Sequence, residues 1–125
     1  MNTELSNSEW KLMRRLWDHS PSTITELTAA LREETGWSKH TIITMLSRLE
    51  AKGAVRHQEG GRAKRYFPAL RREDAVQNET ESFLSKVYGG SLGLMMSAMV
   101  ESRRLTEADI AELSAILDKA GGENT

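Results

Sequence analysis

The chain has no cysteine among its 125 residues. Disulfides, thiolate metal sites and thiol nucleophiles are thereby excluded together. Histidine is nearly as scarce: His19, His40 and His57 stand apart from one another and from any cluster of carboxylates. Neither a metal centre, a cofactor nor a triad-type catalytic set is expected, and there is no glycine-rich phosphate loop. The acid pairs Glu33-Glu34 and Glu73-Asp74 sit where helix ends are expected and read as solvated charge or dipole complement. An enzyme is not the expectation. No apolar run approaches the ~20 residues that cross a bilayer. The start Met1-Asn2-Thr3-Glu4 is polar, without a leader pattern, so no membrane association and a cytoplasmic location are expected. Net charge is low as well, at −1, but the average conceals a split. Up to Pro68 there are 11 Lys and Arg against 8 Asp and Glu, and from Ala69 onward 6 against 10. Between Lys39 and Arg65 the balance is 7 against 2, which fits an anion-binding half joined to a half with another task.

What is present centres on the stretch from Ser38 to Gly53. Ile42, Met45, Leu46 and Leu49 recur at helical spacing and form one inward side. Ser38 is a good N-cap and Gly53 a good terminator, giving a helix of ~20 Å over residues 39–52. Its other side carries His40, Thr44, Ser47 and Ala51, flanked by Thr41, Ile43 and Arg48, with no acid before Glu50. A small, hydroxylated, basic face suits the DNA major groove; the plain alternative is an ordinary surface helix.

Upstream, Ser6 and Glu9 form a capping box, with Leu5 and Trp10 as staple, for a helix running to about His19. Pro21 stops it, and Ser22-Thr23-Ile24 reads as a very short strand. Thr25 is expected to cap a second helix that turns Leu27, Ala30 and Leu31 inward and stops at Gly36. The three tryptophans, Trp10, Trp17 and Trp37, read as packing rather than as function. Downstream, Ala54 to Gln58 alternates as a strand, Glu59-Gly60-Gly61 is a turn, and Arg62 to Phe67 is a second strand before Pro68. Helix, turn, helix and hairpin together describe a winged helix whose wing carries Arg62 and Lys64. A charged edge hairpin kept soluble is the bland reading of the same residues.

Past Pro68 three more helices are expected: Arg71 to Tyr88, an apolar one containing Leu92 to Val100, and one capped by Thr106 and ended by Gly121-Gly122. Three helices in under 60 residues seldom enclose an adequate core. A second copy of the chain is the expected cover, with Phe83, Leu84, Val87, Leu92, Met95, Met96, Met99, Leu113, Ile116 and Leu117 as the dimerisation surface. The fold class is thus mostly α with a small β-hairpin: a winged helix-turn-helix domain over residues 1–70, then a three-helix dimerisation domain over 71–125.

Several pieces carry a family likeness: Ser6-x-x-Glu9-Trp10, Trp37-Ser38, Thr41-Ile42-x-Thr44, Arg48-Leu49 and Lys52-Gly53-Ala54. Others are Glu59-Gly60-x-Arg62, Tyr66-x-Pro68, Ser82-Phe83, Val87-Tyr88 and the segment from Leu105 to Leu117. On these, over nearly its whole length, the chain resembles the penicillinase-repressor family of bacterial transcriptional repressors. The resemblance implies a homodimer that occupies a palindromic operator on double-stranded DNA and blocks transcription. In the antibiotic-responsive branch it also implies a membrane sensor that leads to proteolysis of the dimerisation domain. Three departures stand out. That branch reads Ser-Pro-Lys-Thr where this chain has Ser38-Lys39-His40-Thr41. Its cut follows an Asn, whereas the aligned bond here is Ala98-Met99. The copper-sensing branch uses a C-terminal cysteine cluster that this chain lacks, so copper sensing by that route is excluded.

The expected DNA contacts follow from position. The hydroxyls of Thr41 and Thr44 can bond either base edges or phosphates, and their methyls can meet thymine methyls. Arg48 can pair a guanine or clamp the backbone, the latter favoured by its place late in the helix, and Lys39 and His40 meet phosphates. Ile43 either touches a thymine methyl or is partly buried. Arg62 and Lys64 reach from the wing. Two alternatives remain open at this point: a winged helix that docks on an acidic protein, and a repressor gated by a small molecule in the Met-rich region.

Overall fold

The computed structural model describes residues 4–123; the polar start at residues 1–3, and what was read from it, lie outside them. The elements follow as α1 (Asn7–Asp18), α2 (Ile24–Thr35), α3 (Lys39–Ala51), β1 (Val55–Gly60), β2 (Ala63–Pro68), α4 (Arg72–Tyr88), α5 (Leu92–Glu101) and α6 (Glu107–Glu123). They form two compact units, Met1–Thr80 and Glu81–Thr125, and α4 runs through the division.

In the first unit the capping box of α1 is closed: Ser6 N donates to Glu9 Oε1 at 2.7 Å and Glu9 N to Ser6 Oγ at 3.1 Å. With that end secured, Leu12, Met13 and Leu16 pack inward at helical spacing against Leu27 and Leu31 of α2 and the four apolar residues of α3. Trp10, Trp17 and Trp37 are half-buried against this core. The indole N–H of Trp17 donates to Leu70 O at 2.9 Å, and Ala75 in the first turns of α4 is buried with the rest.

Three expectations are corrected here. Thr23, not Thr25, caps α2, because Glu26 stands three residues after Thr23 and closes a reciprocal box at 2.8 and 3.1 Å. Ala30 is exposed, and buried Thr28 takes its place, tolerated because its hydroxyl donates to Ile24 O at 2.7 Å. The short strand shrinks to one residue, Ser22, bridged to Tyr66 by bonds of 3.1 and 2.9 Å.

β1 and β2 pair antiparallel from Val55↔Pro68 to Gly60↔Ala63, which leaves Gly61-Arg62 as a two-residue loop. The expected turn at Glu59-Gly60-Gly61 is therefore shifted. Gly61, at φ +76°, takes the left-handed conformation, while Gly60 stays in the ladder.

The second unit holds the end of α4 with α5 and α6. Ser91 Oγ accepts from Leu94 N at 3.1 Å to start α5, and Thr106 and Asp109 close a box at the start of α6. Contrary to expectation, α6 continues through Gly121 and Gly122. Two glycines cost a helix roughly 1 kcal/mol each relative to alanine but do not interrupt its hydrogen bonds. None of this unit's described side chains is buried: Leu92, Leu94, Val100, Ile110, Ile116 and Leu117 are each more than half exposed. Among the described residues no helix is long and apolar enough to cross a membrane.

Candidate nucleic-acid interface

The first turn of α3 is set by Ser38, whose hydroxyl accepts from Thr41 N at 3.2 Å. Gly36 at φ +67° ends α2 and turns the chain toward it. Burial of Ile42, Met45, Leu46 and Leu49 fixes the rotation of the helix. Lys39, His40, Ile43, Ser47 and Arg48 are consequently exposed on the opposite side, with Thr41 and Thr44 partly shielded. The two threonines are not free hydroxyls. Thr41 Oγ1 lies 3.2 Å from Ser38 Oγ, and Thr44 Oγ1 donates to His40 O at 3.0 Å. Thr44 therefore offers outward a lone pair and a methyl group, the chemistry of an adenine or cytosine amino group or a thymine methyl. Ile43, 42% exposed, lies on this same side of the helix.

The hairpin brings Arg62 and Lys64 back toward the same surface. Thr23, Ile24 and Thr25 of α2's start, Lys39 and Ile43 of α3, and Arg62, Ala63 and Lys64 of the wing line one concavity of about 290 Å³. Three cations and the amino end of a helix thus face a common space, an arrangement suited to phosphate oxygens. Thr23 and Thr25 were not legible as part of this surface, although Thr23-x-x-Glu26 marks the helix start in the sequence. Arg56 is exposed but stacks on its cross-strand neighbour, its guanidinium 4.4 Å from the centre of the Phe67 ring. Glu26 is used up as a cap. Its carboxyl is held below the ordinary range by the backbone and hydroxyl of Thr23, with a smaller pull from Arg65 and Arg15.

Behind this face the far end of α3 is tied down. Lys52 Nζ donates to Glu4 O at 2.9 Å and to Glu9 Oε1 at 2.6 Å, with the Glu9 side chain 5% exposed. Burial raises the Glu9 carboxyl, but the Lys52 hydrogen bond, the Ser6 bonds and the Lys52 charge outweigh it and hold the group below its ordinary value.

Of the residues expected to pair two copies, Phe83, Val87, Leu92, Met99, Ile116 and Leu117 are exposed, while Leu84, Met95, Met96 and Leu113 are half-buried within their own unit. Leu94, Val100 and Ile110 are equally exposed in the same unit. A groove of about 360 Å³ between α5 and α6 is lined by Met96, Met99, Leu105, Asp109, Glu112, Leu113 and Ile116. The Ala98-Met99 bond lies inside α5.

A sequence profile described as "Penicillinase repressor" matches residues 5–119. A penicillinase repressor of Bacillus licheniformis is 34% identical over 116 residues, covering 93% of this chain and 91% of that protein. Among solved structures, the monomeric Bacillus licheniformis BlaI in complex with the blaP half-operator is 35% identical with a TM-score of 0.52, covering 59% of this chain and 90% of that one. Apo MarR from E. coli shares the fold over 94% of this chain and 78% of its own, with a TM-score of 0.50 at 20% identity.

Proposed function

The chain belongs to the penicillinase-repressor family, one of DNA-binding regulators rather than enzymes, and from that premise we propose that it is a dimeric repressor of a palindromic operator. Residues 1–70 bind DNA and residues 71–125 pair the two copies. The observation that carries this reading is the single concavity where the start of α2, the exposed side of α3 and the wing gather Lys39, Arg62 and Lys64. Lys39, His40 and Arg48 clamp phosphates, Thr41, Ile43 and Thr44 meet base edges, and the wing cations hold the flanking backbone. Two copies place the recognition helices about one or more turns of duplex apart, at ~10 bp per turn. The open apolar side of the second unit supports the pairing, since a large uncovered patch marks an association surface. Release follows an antibiotic or stress signal through a sensor-linked protease acting at Ala98-Met99.

Salt titration of duplex binding tests the interface. Arg62→Gln is expected to weaken binding to all sequences and flatten the plot of log affinity against log salt by about one unit. An unchanged slope removes Arg62 from the contact. Thr44→Val keeps the methyl and removes the lone pair, so selection from random duplexes is expected to return an altered base preference, with salt dependence unchanged. A variant that selects the wild-type sequence shows that Thr44 does not read bases. The groove between α5 and α6 favours a second route of release, in which a small molecule enters the Met-rich space. Recovery of uncut chain that has left its operator on adding such a compound decides for that route.

A further inference from the structure

Glu50 and His57 lie outside the surface assigned to DNA, yet they join the two elements that carry it. Glu50 Oε2, in the last turn of α3, is 2.5 Å from His57 Nδ1 on β1. The imidazole also lies 4.0 Å from Glu59 Oε1 through Nε2, and its ring centre is 5.5 Å from that of Tyr66, its cross-strand partner. The side chains of His57 and Glu50 are 26% and 38% exposed. That is enough shelter for a hydrogen bond to count, and enough room for either side chain to be changed.

The position of this contact along the ribbon gives it leverage. At the base the hairpin is held by buried Val55, by Ala54 N donating to Leu49 O at 2.8 Å, and by the Ser22–Tyr66 bridge. Beyond His57, every residue from Gln58 to Arg65 is exposed. A two-stranded ribbon with nothing packed on it bends and twists readily. From the His57–Tyr66 pair to the Gly60–Ala63 pair is three residues, about 10 Å of strand. A tilt of about 20° there carries the tip by about 3 Å, the length of a hydrogen bond, and takes Arg62 and Lys64 off a phosphate.

We propose that the Glu50–His57 hydrogen bond is a positioning clasp that sets the pitch of the wing against α3, so that Arg62 and Lys64 grip the same duplex as Lys39. The consequence rests on the DNA-binding reading above; the clasp itself does not.

Three variants test it: Glu50→Ala, His57→Ala, neither of which can make the bond, and the exchanged pair Glu50→His with His57→Glu. Backbone ¹⁵N relaxation of the free protein reads the wing directly. In either single variant the order parameters of residues 58–64 are expected to fall from about 0.85 toward 0.6, and in the exchanged pair to recover. On a duplex carrying the blaP half-operator, each single variant is expected to lose about tenfold in affinity. The salt slope is expected to flatten by up to about two units, the share of Arg62 and Lys64, and the exchanged pair to restore both readings. Unchanged order parameters in the single variants overturn the clasp, as does a loss of affinity that the exchanged pair fails to restore. A wild-type chain that ignores every duplex sinks the DNA reading instead, and the relaxation data still decide the clasp.

Discussion

Replacing Phe83 and Leu117 together by aspartate is expected to leave the chain monomeric and to cut its affinity for a full inverted repeat by about a hundredfold or more. Leu117 is 65% exposed and Phe83 43%, with neither in the buried core, so the substitutions cost the folded monomer far less than a core replacement does. In the proposed dimer they remove the gain from covering that surface and add like charges across a two-fold axis, where each residue acts twice. Affinity for a single half-site is expected to stay within about threefold of the wild type, because the second head, not the first, supplies the lost factor. Sedimentation equilibrium together with titrations on half and full sites checks both parts. A variant that still sediments as a dimer locates the pairing surface elsewhere. Equal losses on half and full sites place the damage in the DNA-binding unit.

Lys52→Met is expected to destabilise the first unit by about 2 kcal/mol, a drop of about 10 °C in thermal midpoint for a unit of this size. The substitution keeps the aliphatic stem and strands the Glu9 carboxylate, whose side chain is 5% exposed. Breaking a fully buried pair costs more, but the Lys52 side chain is 38% exposed and water takes up part of its role. The same pair predicts an acid limb. The Glu9 carboxyl lies below its ordinary value in the fold. Its contribution is therefore complete above the unfolded carboxylate range and drains away as the pH falls through the lower folded value. Denaturant melts from neutral pH downward are expected to show that decline in the wild type and a shallower one in Glu9→Gln. Parallel curves would remove the pair from the acid response.

Much of this fold is written in local chemistry. The boxes at Ser6 and Thr106 are reciprocal pairs within four residues, and the inner side of α3 is an uninterrupted helical period; both are short-range signals. Errors arose where two local choices were nearly equal. Thr23 and Thr25 are chemically alike as caps, and only the partner Glu26 separates them. Gly60 and Gly61 are both free to turn, and the ladder decides which one does. Gly121 and Gly122 look like a stop but are merely costly within a helix. The site divides the same way. Lys39, Ile43 and Arg48 could be placed from periodicity, whereas the meeting of Thr23, Lys39 and Arg62 joins three elements with no common period. The Glu50–His57 contact crosses a tight turn between a helix and a strand, and no spacing rule announces it. The open apolar flank of the second unit was legible for a simpler reason: three short helices carry more apolar side chains than they can bury among themselves.

The peptide bond between Ala98 and Met99 sits well inside a ten-residue helix, with the carbonyl of Ala98 bonded to the backbone N–H of Ser102 at 3.0 Å. Endopeptidases thread their substrates as extended strands, so that bond becomes cuttable only after the last turns of α5 have unravelled. In the proposed dimer, a second copy lying over the apolar side of α5 would oppose that unravelling. On the proposed release by a cut at this bond, susceptibility would follow dilution: a scarce regulator would be trimmed quickly and an abundant one would linger. The number of copies in a cell would thus set how sharply the switch is thrown.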